Sequence, residues 1–413
     1  MRIFVDIRHL ANPTPSGVGE YTIQLLRALF VLPTSHEWIL FSSGITRPEC
    51  VHLFSLHLPL TKEWIARRYE RTVYPNGVEH IHLAEPNKIL KLKIGLGLGT
   101  PFTSLSHPKP DLLFLPNLNV LPHTEKTPKI IMMHDLSWDI FPAFYSPRMR
   151  MWHASTRPHE LLTSCTKILT PSYATKYDLL KRYPLSPDSI ETIPHGITKN
   201  FQPTPDGYDE KVRKRYSLPK RYVLFLGTLE PRKNLRTAYE AIKLYRKNTG
   251  DSLSFVLAGG WGWQTGFLRY KIAQGQQEGW VQHLGYVPPE HRAALYRQAE
   301  VTLWPSLYEG FGLPVLESMA CGTPVITSTT SSLPEISGSA ALLVDPYNLH
   351  DIVLALTELL SSPSLYQTLV QEGLLRAQKY TWEQTAKKTL EVFEKIVLKS
   401  NDDIRYPSSF IRN

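Results

Sequence analysis

The chain has 413 residues, 42% hydrophobic and 20% charged, which is ample apolar material for packed cores in two domains and excludes a disordered, collagen-like or low-complexity polypeptide. No run approaches the roughly 18 apolar residues of a membrane-spanning helix, and the opening Met-Arg-Ile-Phe-Val-Asp-Ile-Arg carries Asp6 and no small-residue cleavage site, so a cytoplasmic protein is expected. The net charge of +9 favours anionic partners, but no Lys/Arg block marks a nucleic-acid surface and none is expected.

Residues 3–8 read as a short buried strand, followed by a Pro/Gly-rich turn ending in Gly17 and Gly19 and an amphipathic helical stretch over 20–32. Apolar β-type runs follow at 38–41, 112–115, 130–133, 168–170 and 190–193, with helical stretches at 148–162 and 173–182. This alternation predicts a parallel, doubly wound sheet. Residues 199–221 are polar, charged and proline-bearing and read as a linker. The alternation then restarts with strand 222–226, helix 235–245, strands 254–257 and 283–287, helix 290–298 and strand 301–304. Two Rossmann-like domains of this kind place a ligand in the cleft between them, at the carboxyl ends of the strands. A last helix over 382–398 carries Ala386, Leu390, Phe393 and Val397 at helical spacing and needs a surface to cover. The expected division is an N-terminal domain 1–200, a C-terminal domain 201–380, a crossing helix 381–400 and a frayed tail 401–413.

Several segments could carry chemistry. In 308–327, Gly310 and Gly312 after Glu309 permit close backbone approach, Pro314 suits the first turn of a helix, and Gly322 suits its end. The N-terminus of that helix would offer backbone N–H groups and a positive dipole end to an anion, Glu317 could accept from ribose hydroxyls, and Glu309 could meet a sugar or its phosphate. A strand–helix junction with ordinary surface glutamates would show the same local pattern. In 226–235, Arg232 and Lys233 leave a strand end together, where cations can neutralise a diphosphate leaving group; an exposed pair without a partner is the plainer alternative. His134 and Asp135 stand just past a hydrophobic strand, where a histidine can meet a sugar or an attacking hydroxyl, although 12 of the 15 histidines lie in the first 200 residues. Gly17 and Gly19 lack the third glycine of a dinucleotide fingerprint, and neither a GK[ST] loop nor Gly-x-Ser-x-Gly occurs. Cys50, Cys165 and Cys321 are scattered; neither a disulfide framework nor a metal site is predicted.

Taken together, these segments resemble the retaining, nucleotide-sugar-dependent glycosyltransferases of family 4, whose fold, GT-B, is two Rossmann-like domains facing a central cleft with a C-terminal helix crossing back to the first. The resemblance covers about residues 1–398 and rests on Glu309 and Glu317 as the E-x7-E pair, Gly227 to Lys233 as the donor loop, His134 as the histidine of the first domain, and Gly17 to Gly19 as the acceptor-side loop. Leu284-Gly-Tyr-Val-Pro-Pro289 is similar to the segment that reads the nucleotide base, and Ile193-Pro-His-Gly-Ile197 to the run that closes the first domain. A departure is Thr228, where many members have the arginine of a Gly-Arg pair; Arg232 could take its place.

The resemblance implies a retaining hexosyltransferase, similar to bacterial mannosyl- and rhamnosyltransferases, with GDP-mannose favoured over a UDP- or ADP-sugar, a glycan, lipid-linked or small-molecule acceptor, and no cofactor or required metal. It implies His134, Glu309, Lys233 and Arg232 as catalytic groups. Donor contacts would come from Gly17, Gly19, Gly227, Arg232, Lys233, Val287, Glu309, Gly310, Phe311, Gly312, Leu313 and Glu317, and acceptor-side contacts from His134 and Asp135. Residues 62–93, with seven basic and four acidic side chains, could also touch an anionic membrane. The alternatives are an epimerase or phosphorylase of the same fold, or a non-catalytic nucleotide-sugar-binding protein.

Overall fold

The computed structural model describes residues 1–11, 17–48, 54, 61–66, 69–74, 77–122 and 125–405. Cys50, the 12–16 part of the glycine loop, parts of 62–93 and the last residues of the expected tail, 406–413, lie outside the described residues.

Fifteen strands among the described residues form two sheets. The first holds β1 (Arg2–Asp6), β2 (Glu37–Ser43), β3 (Thr61–Ala66), β4 (Tyr69–Val73), β5 (Val78–Leu83), β6 (Leu112–Leu115), β7 (Lys129–Met132), β8 (Lys167–Thr170) and β9 (Ile190–Thr192), in the order β3-β4-β5-β2-β1-β6-β7-β8-β9. From β5 to β9 every pairing is parallel, while β3 and β4 add an antiparallel edge. The second sheet is wholly parallel: β10 (Tyr222–Leu226), β11 (Ser254–Ala258), β12 (Val281–Gly285), β13 (Val301–Trp304), β14 (Val325–Ser328) and β15 (Leu342–Val344), in the order β12-β11-β10-β13-β14-β15. The central strands are apolar throughout because helices cover both faces. Strand order reverses between β1 and β6 and between β10 and β13, so each sheet has a switch point where a crevice opens at the strand ends.

The chain crosses between the two units twice, and the two crossings touch. Ile197 N donates to Tyr380 O at 3.0 Å, and a Cβ at position 196 would lie 2.1 Å from Trp382 N, so only glycine lets the outgoing and returning segments approach this closely. The final helix, Trp382–Arg405, then covers the first sheet: Trp382, Ala386, Leu390 and Phe393 are buried in one core with Ile3, Val5, Tyr21 and Phe114. The crossing helix is therefore present as expected, but it runs on through residues placed in the frayed tail.

Other expectations are corrected. The helical stretch 148–162 is two helices, Pro147–Ser155 and Pro158–Ser164, with Arg157 left-handed between them (φ 47°), because Pro158 lacks an N–H and disfavours helix at the residue before it. The linker 199–221 contains a helix, Asp209–Tyr216, tied to the second unit by Arg297, which pairs with Asp206 at 2.8 Å and Asp209 at 2.6 Å. The first helix starts at Gly17 and not at Glu20.

Phe393 is fully buried with its ring 5.0 Å from that of Phe114. Phe393→Ala is expected to lower unfolding stability by about 3–5 kcal/mol, read as a shifted urea midpoint; an unchanged midpoint would show that the helix is not docked on the first sheet.

Candidate active site

The loops leaving β10 and β13 meet at the second sheet's switch point. Gly227 follows β10, its position packed so closely that a Cβ would lie 2.7 Å from the Trp304 ring. A short 3-10 turn, Pro231–Lys233, follows and closes on left-handed Asn234 (φ 55°). This turn presents Arg232 and Lys233 to the loop after β13. Lys233 Nζ bonds Glu309 Oε1 at 2.5 Å and Arg232 Nη1 bonds Glu309 Oε2 at 2.8 Å. Trp304 Nε1 donates to Glu309 Oε1 at 3.1 Å, and Arg232 Nη2 also reaches Glu230 at 2.7 Å. Burial opposes the charged form of Glu309, but the Arg232 and Lys233 charges outweigh it and hold the carboxyl at about 2. Burial and the neighbouring Arg232 lower the Lys233 ammonium.

Beyond Gly310, Phe311 and Gly312, the helix Leu313–Ala320 begins with Pro314 in its first turn. Glu317 lies one turn in, buried, with Tyr296 Oη donating to its Oε2 at 3.0 Å. Burial raises its carboxyl to about 7, with Arg292 acting against the rise and Glu20 adding to it. Its environment is thus opposite to that of Glu309.

The first unit supplies the facing wall. His134, past β7, bonds the Pro116 carbonyl through Nε2 at 2.8 Å; a neutral ring that donates there carries its lone pair on Nδ1. Burial lowers the imidazole to about 4. Asp135 accepts from Ser137 N at 2.9 Å and Ser137 Oγ at 2.6 Å, holding the turn that follows. The two walls touch at Gly310: a Cβ there would lie 1.7 Å from the His134 carbonyl oxygen. The Gly310 carbonyl accepts from Ser172 Oγ at 2.7 Å and Thr175 Oγ1 at 3.2 Å. Glu20 and Arg292 also pair across the cleft at 2.9 Å.

Of the residues singled out in the sequence, His134, Arg232, Lys233, Glu309, Gly310, Phe311, Gly312, Leu313 and Glu317 come together around this cleft. Gly17 and Gly19 open the helix Gly17–Phe30 whose first turn carries Glu20, and Val287 is a buried core residue just past β12. Arg232 and Lys233 are not the exposed cations of the plainer reading; both are held by carboxylates. Sequence reasoning missed Glu230, Trp304, Tyr296, Arg292 and Glu20, since each is an ordinary residue of a strand, helix or turn until folding sets it beside its partner. It also missed His195, buried with its ring 5.4 Å from that of His134 and 4.9 Å from that of Phe311.

Among solved structures, sucrose-phosphate synthase from Thermosynechococcus elongatus superposes with a TM-score of 0.71 over 97% of this chain and 100% of that one at 20% identity. WaaG, a glycosyltransferase involved in lipopolysaccharide biosynthesis, does so with 0.65 over 95% and 99% at 14% identity. The fold is therefore GT-B, the architecture of sugar-transferring enzymes. Residues 209–376 match the family of glycosyl transferases group 1. The chain is 33% identical to O-antigen chain mannosyltransferase B of Escherichia coli over 66% of this chain and 72% of that protein. It is 30% identical to the MMP alpha-(1->4)-mannosyltransferase of Mycolicibacterium hassiacum over 61% and 59%. The chain belongs to the group 1 glycosyl transferases, and it is a glycosyltransferase.

Gly310→Ala forces the two walls apart. Activity should fall roughly 100-fold, the cost of displacing reacting groups by about an ångström, with an unchanged circular dichroism spectrum; full activity would mean that the closed contact is dispensable.

Glu317 gives a pH test. With a folded value near 7 against 4.5 for an ordinary glutamate, the folded chain keeps a proton that the unfolded chain releases, so wild-type stability falls as pH rises across that window. Glu317→Gln lacks this loss, and its stability relative to wild type should increase by up to about 3 kcal/mol from pH 4.5 to 7. Parallel urea-midpoint profiles for the two proteins would rule this out.

Proposed function

We propose that this glycosyltransferase moves a mannosyl group from GDP-mannose to a hydroxyl of a glycan acceptor, with retention of anomeric configuration. The observation that carries the reading is the buried Glu309–Arg232–Lys233 cluster set beside the helix Leu313–Ala320 and facing His134. The mannosyl assignment is supported by the names of the relatives above.

In this reading the diphosphate lies at the N-terminal end of that helix, beside Arg232 and Lys233, and the ribose hydroxyls bond Glu317. The bond to Glu309 uses one of the three Lys233 donors, so the ammonium can be shared with the leaving group. Glu309 holds both cations in place and meets the sugar from the same loop. His134, neutral at physiological pH and a weak base at about 4, orients a hydroxyl by accepting its hydrogen bond and does not remove the proton. The acceptor oxygen bonds to the anomeric carbon from the face that the diphosphate leaves. The breaking carbon–oxygen bond passes its electron pair to the phosphate oxygen, which takes the acceptor's proton. Closure excludes the water that would otherwise hydrolyse the donor. In this reading the donors to the leaving group are Arg232, Lys233 and the backbone N–H groups at the start of the helix Leu313–Ala320, so transfer is expected to need neither metal nor cofactor.

A thermal-shift panel of GDP-, UDP-, ADP- and dTDP-sugars tests the donor. The GDP series should stabilise the protein by about 2.7 kcal/mol at 100 times its dissociation constant, with the shift retained in EDTA and lost in Glu317→Ala or Lys233→Ala. A shift confined to another base would reassign the donor, and none in any series, with the variants folded, would end the reading.

A further inference from the structure

The segment that leaves the first unit carries a buried histidine with no role in the chemistry described so far. His195 precedes Gly196, the point at which the outgoing and returning crossings touch. Four rings from four other parts of the chain surround it. Tyr21 of the helix Gly17–Phe30 lies 4.5 Å away between ring centres, Phe311 of the loop after β13 4.9 Å, and His134 5.4 Å. Trp382 of the returning helix stacks at 6.1 Å, nearly parallel at 16°. One side chain on the outgoing crossing therefore meets the returning crossing and both walls of the cleft.

What it contributes there is ring packing. His195 Nδ1 is buried and has no hydrogen-bond partner among the described residues. Burial, with the nearby His134 adding to the effect, holds the imidazole well below its ordinary value and hence neutral. His134 needs such support. Its bond from Nε2 to the Pro116 carbonyl fixes one point of the ring, but the χ2 torsion of a histidine is broad and does not by itself choose the plane. The plane is set by its neighbours, Tyr21 edge-on at 4.7 Å and 81° and His195 at 5.4 Å and 57°. Across the cleft, Phe311 is held between His195 and Tyr380, whose ring centre is 5.9 Å away, just before the helix Leu313–Ala320.

We propose that His195 is a positioning residue for sugar transfer: its ring is the plate against which His134 and Phe311 are both set, so that the crossing between the units fixes the plane of the one and the placement of the other. It acts through these two side chains and touches no substrate. The role rests on the reading of His134 as the group that orients a hydroxyl, but one arm of its test needs no nucleotide sugar.

Turnover of the full chain is followed as release of GDP from GDP-mannose, or of the nucleotide from whichever sugar of the thermal-shift panel replaces it. His195→Ala should lower kcat roughly tenfold or more, as expected when a reacting group is displaced, with KM changed less than about twofold. His195→Phe keeps a flat ring of similar size and forfeits no bond at Nδ1, so its kcat should stay within about threefold of wild type. Phe393→Ala loosens the same helix about three turns beyond Trp382 and should leave kcat unchanged. Without any nucleotide sugar, the His134 Cε1–H resonance, identified by its loss in His134→Gln, should be single and sharp in wild type and His195→Phe, and broadened or doubled in His195→Ala. If His195→Ala does not fold, His195→Leu, which keeps the volume without the flat ring, is read in its place. An unchanged kcat or a single sharp His134 resonance in that variant overturns the proposal. So does an equal loss in His195→Phe, which would make a ring nitrogen the working part, or in Phe393→Ala, which would reduce the effect to stability. Absence of turnover with every nucleotide sugar in the wild-type protein counts against the donor reading, and the resonance then decides the role of His195.

Discussion

The site depends on a buried group of four charges, Glu230, Arg232, Lys233 and Glu309, whose signs cancel. Each of these ions, taken alone from water, would cost several kcal/mol. Together they are tolerated because every carboxylate meets a cation and the remaining acceptor capacity of Glu309 is partly filled by Trp304. The cluster joins the turn after β10 to the loop after β13, so two segments some 75 residues apart become one rigid surface. Cations fixed in advance need little reorganisation when negative charge develops beside them, which is the most effective way for a protein to stabilise a departing anion.

The two glutamates of the motif show how environment divides labour between identical side chains. Glu309 lies between two cations and stays ionised to low pH, while Glu317, eight residues on, is buried with Tyr296 as its hydrogen-bond partner and is drawn towards the neutral form. A polar ligand that brings hydroxyl donors to Glu317 would favour its carboxylate, which couples ligand binding to ionisation at that position. Arg292 and Glu20 sit at the same place and tie the second unit to the first, so the charge state of Glu317 and the closure of the cleft share neighbours.

Much of this was legible in the sequence because the signals are local. Apolar runs of four or five residues separated by helical periodicity report a parallel sheet wherever they occur, and Pro314 and Gly322 mark the ends of a helix by backbone chemistry alone. His134 and Lys233 could be placed at strand ends by the same reasoning. The division at 148–162 is legible too, since Pro158 disfavours helix at Arg157. The antiparallel edge β3–β4 was not, since register in a charged, two-sided strand pair is weakly specified by its own residues.

The sequence by itself determined the alternating α/β class, the two-part organisation and an amphipathic last helix, because periodicity, caps and glycine positions act over a few residues; the return of that helix to the first unit and the grouping of the motif residues in one cleft were what the family resemblance implied. Only the tertiary structure decided which side chains those residues meet: that Arg232 and Lys233 are bound to carboxylates and not exposed, that Gly310 abuts the His134 carbonyl, and that His195 packs against both His134 and Phe311. Those are contacts between segments tens to hundreds of residues apart, and pairing, burial and charge balance across such distances exist only once the strands have been ordered in their sheets.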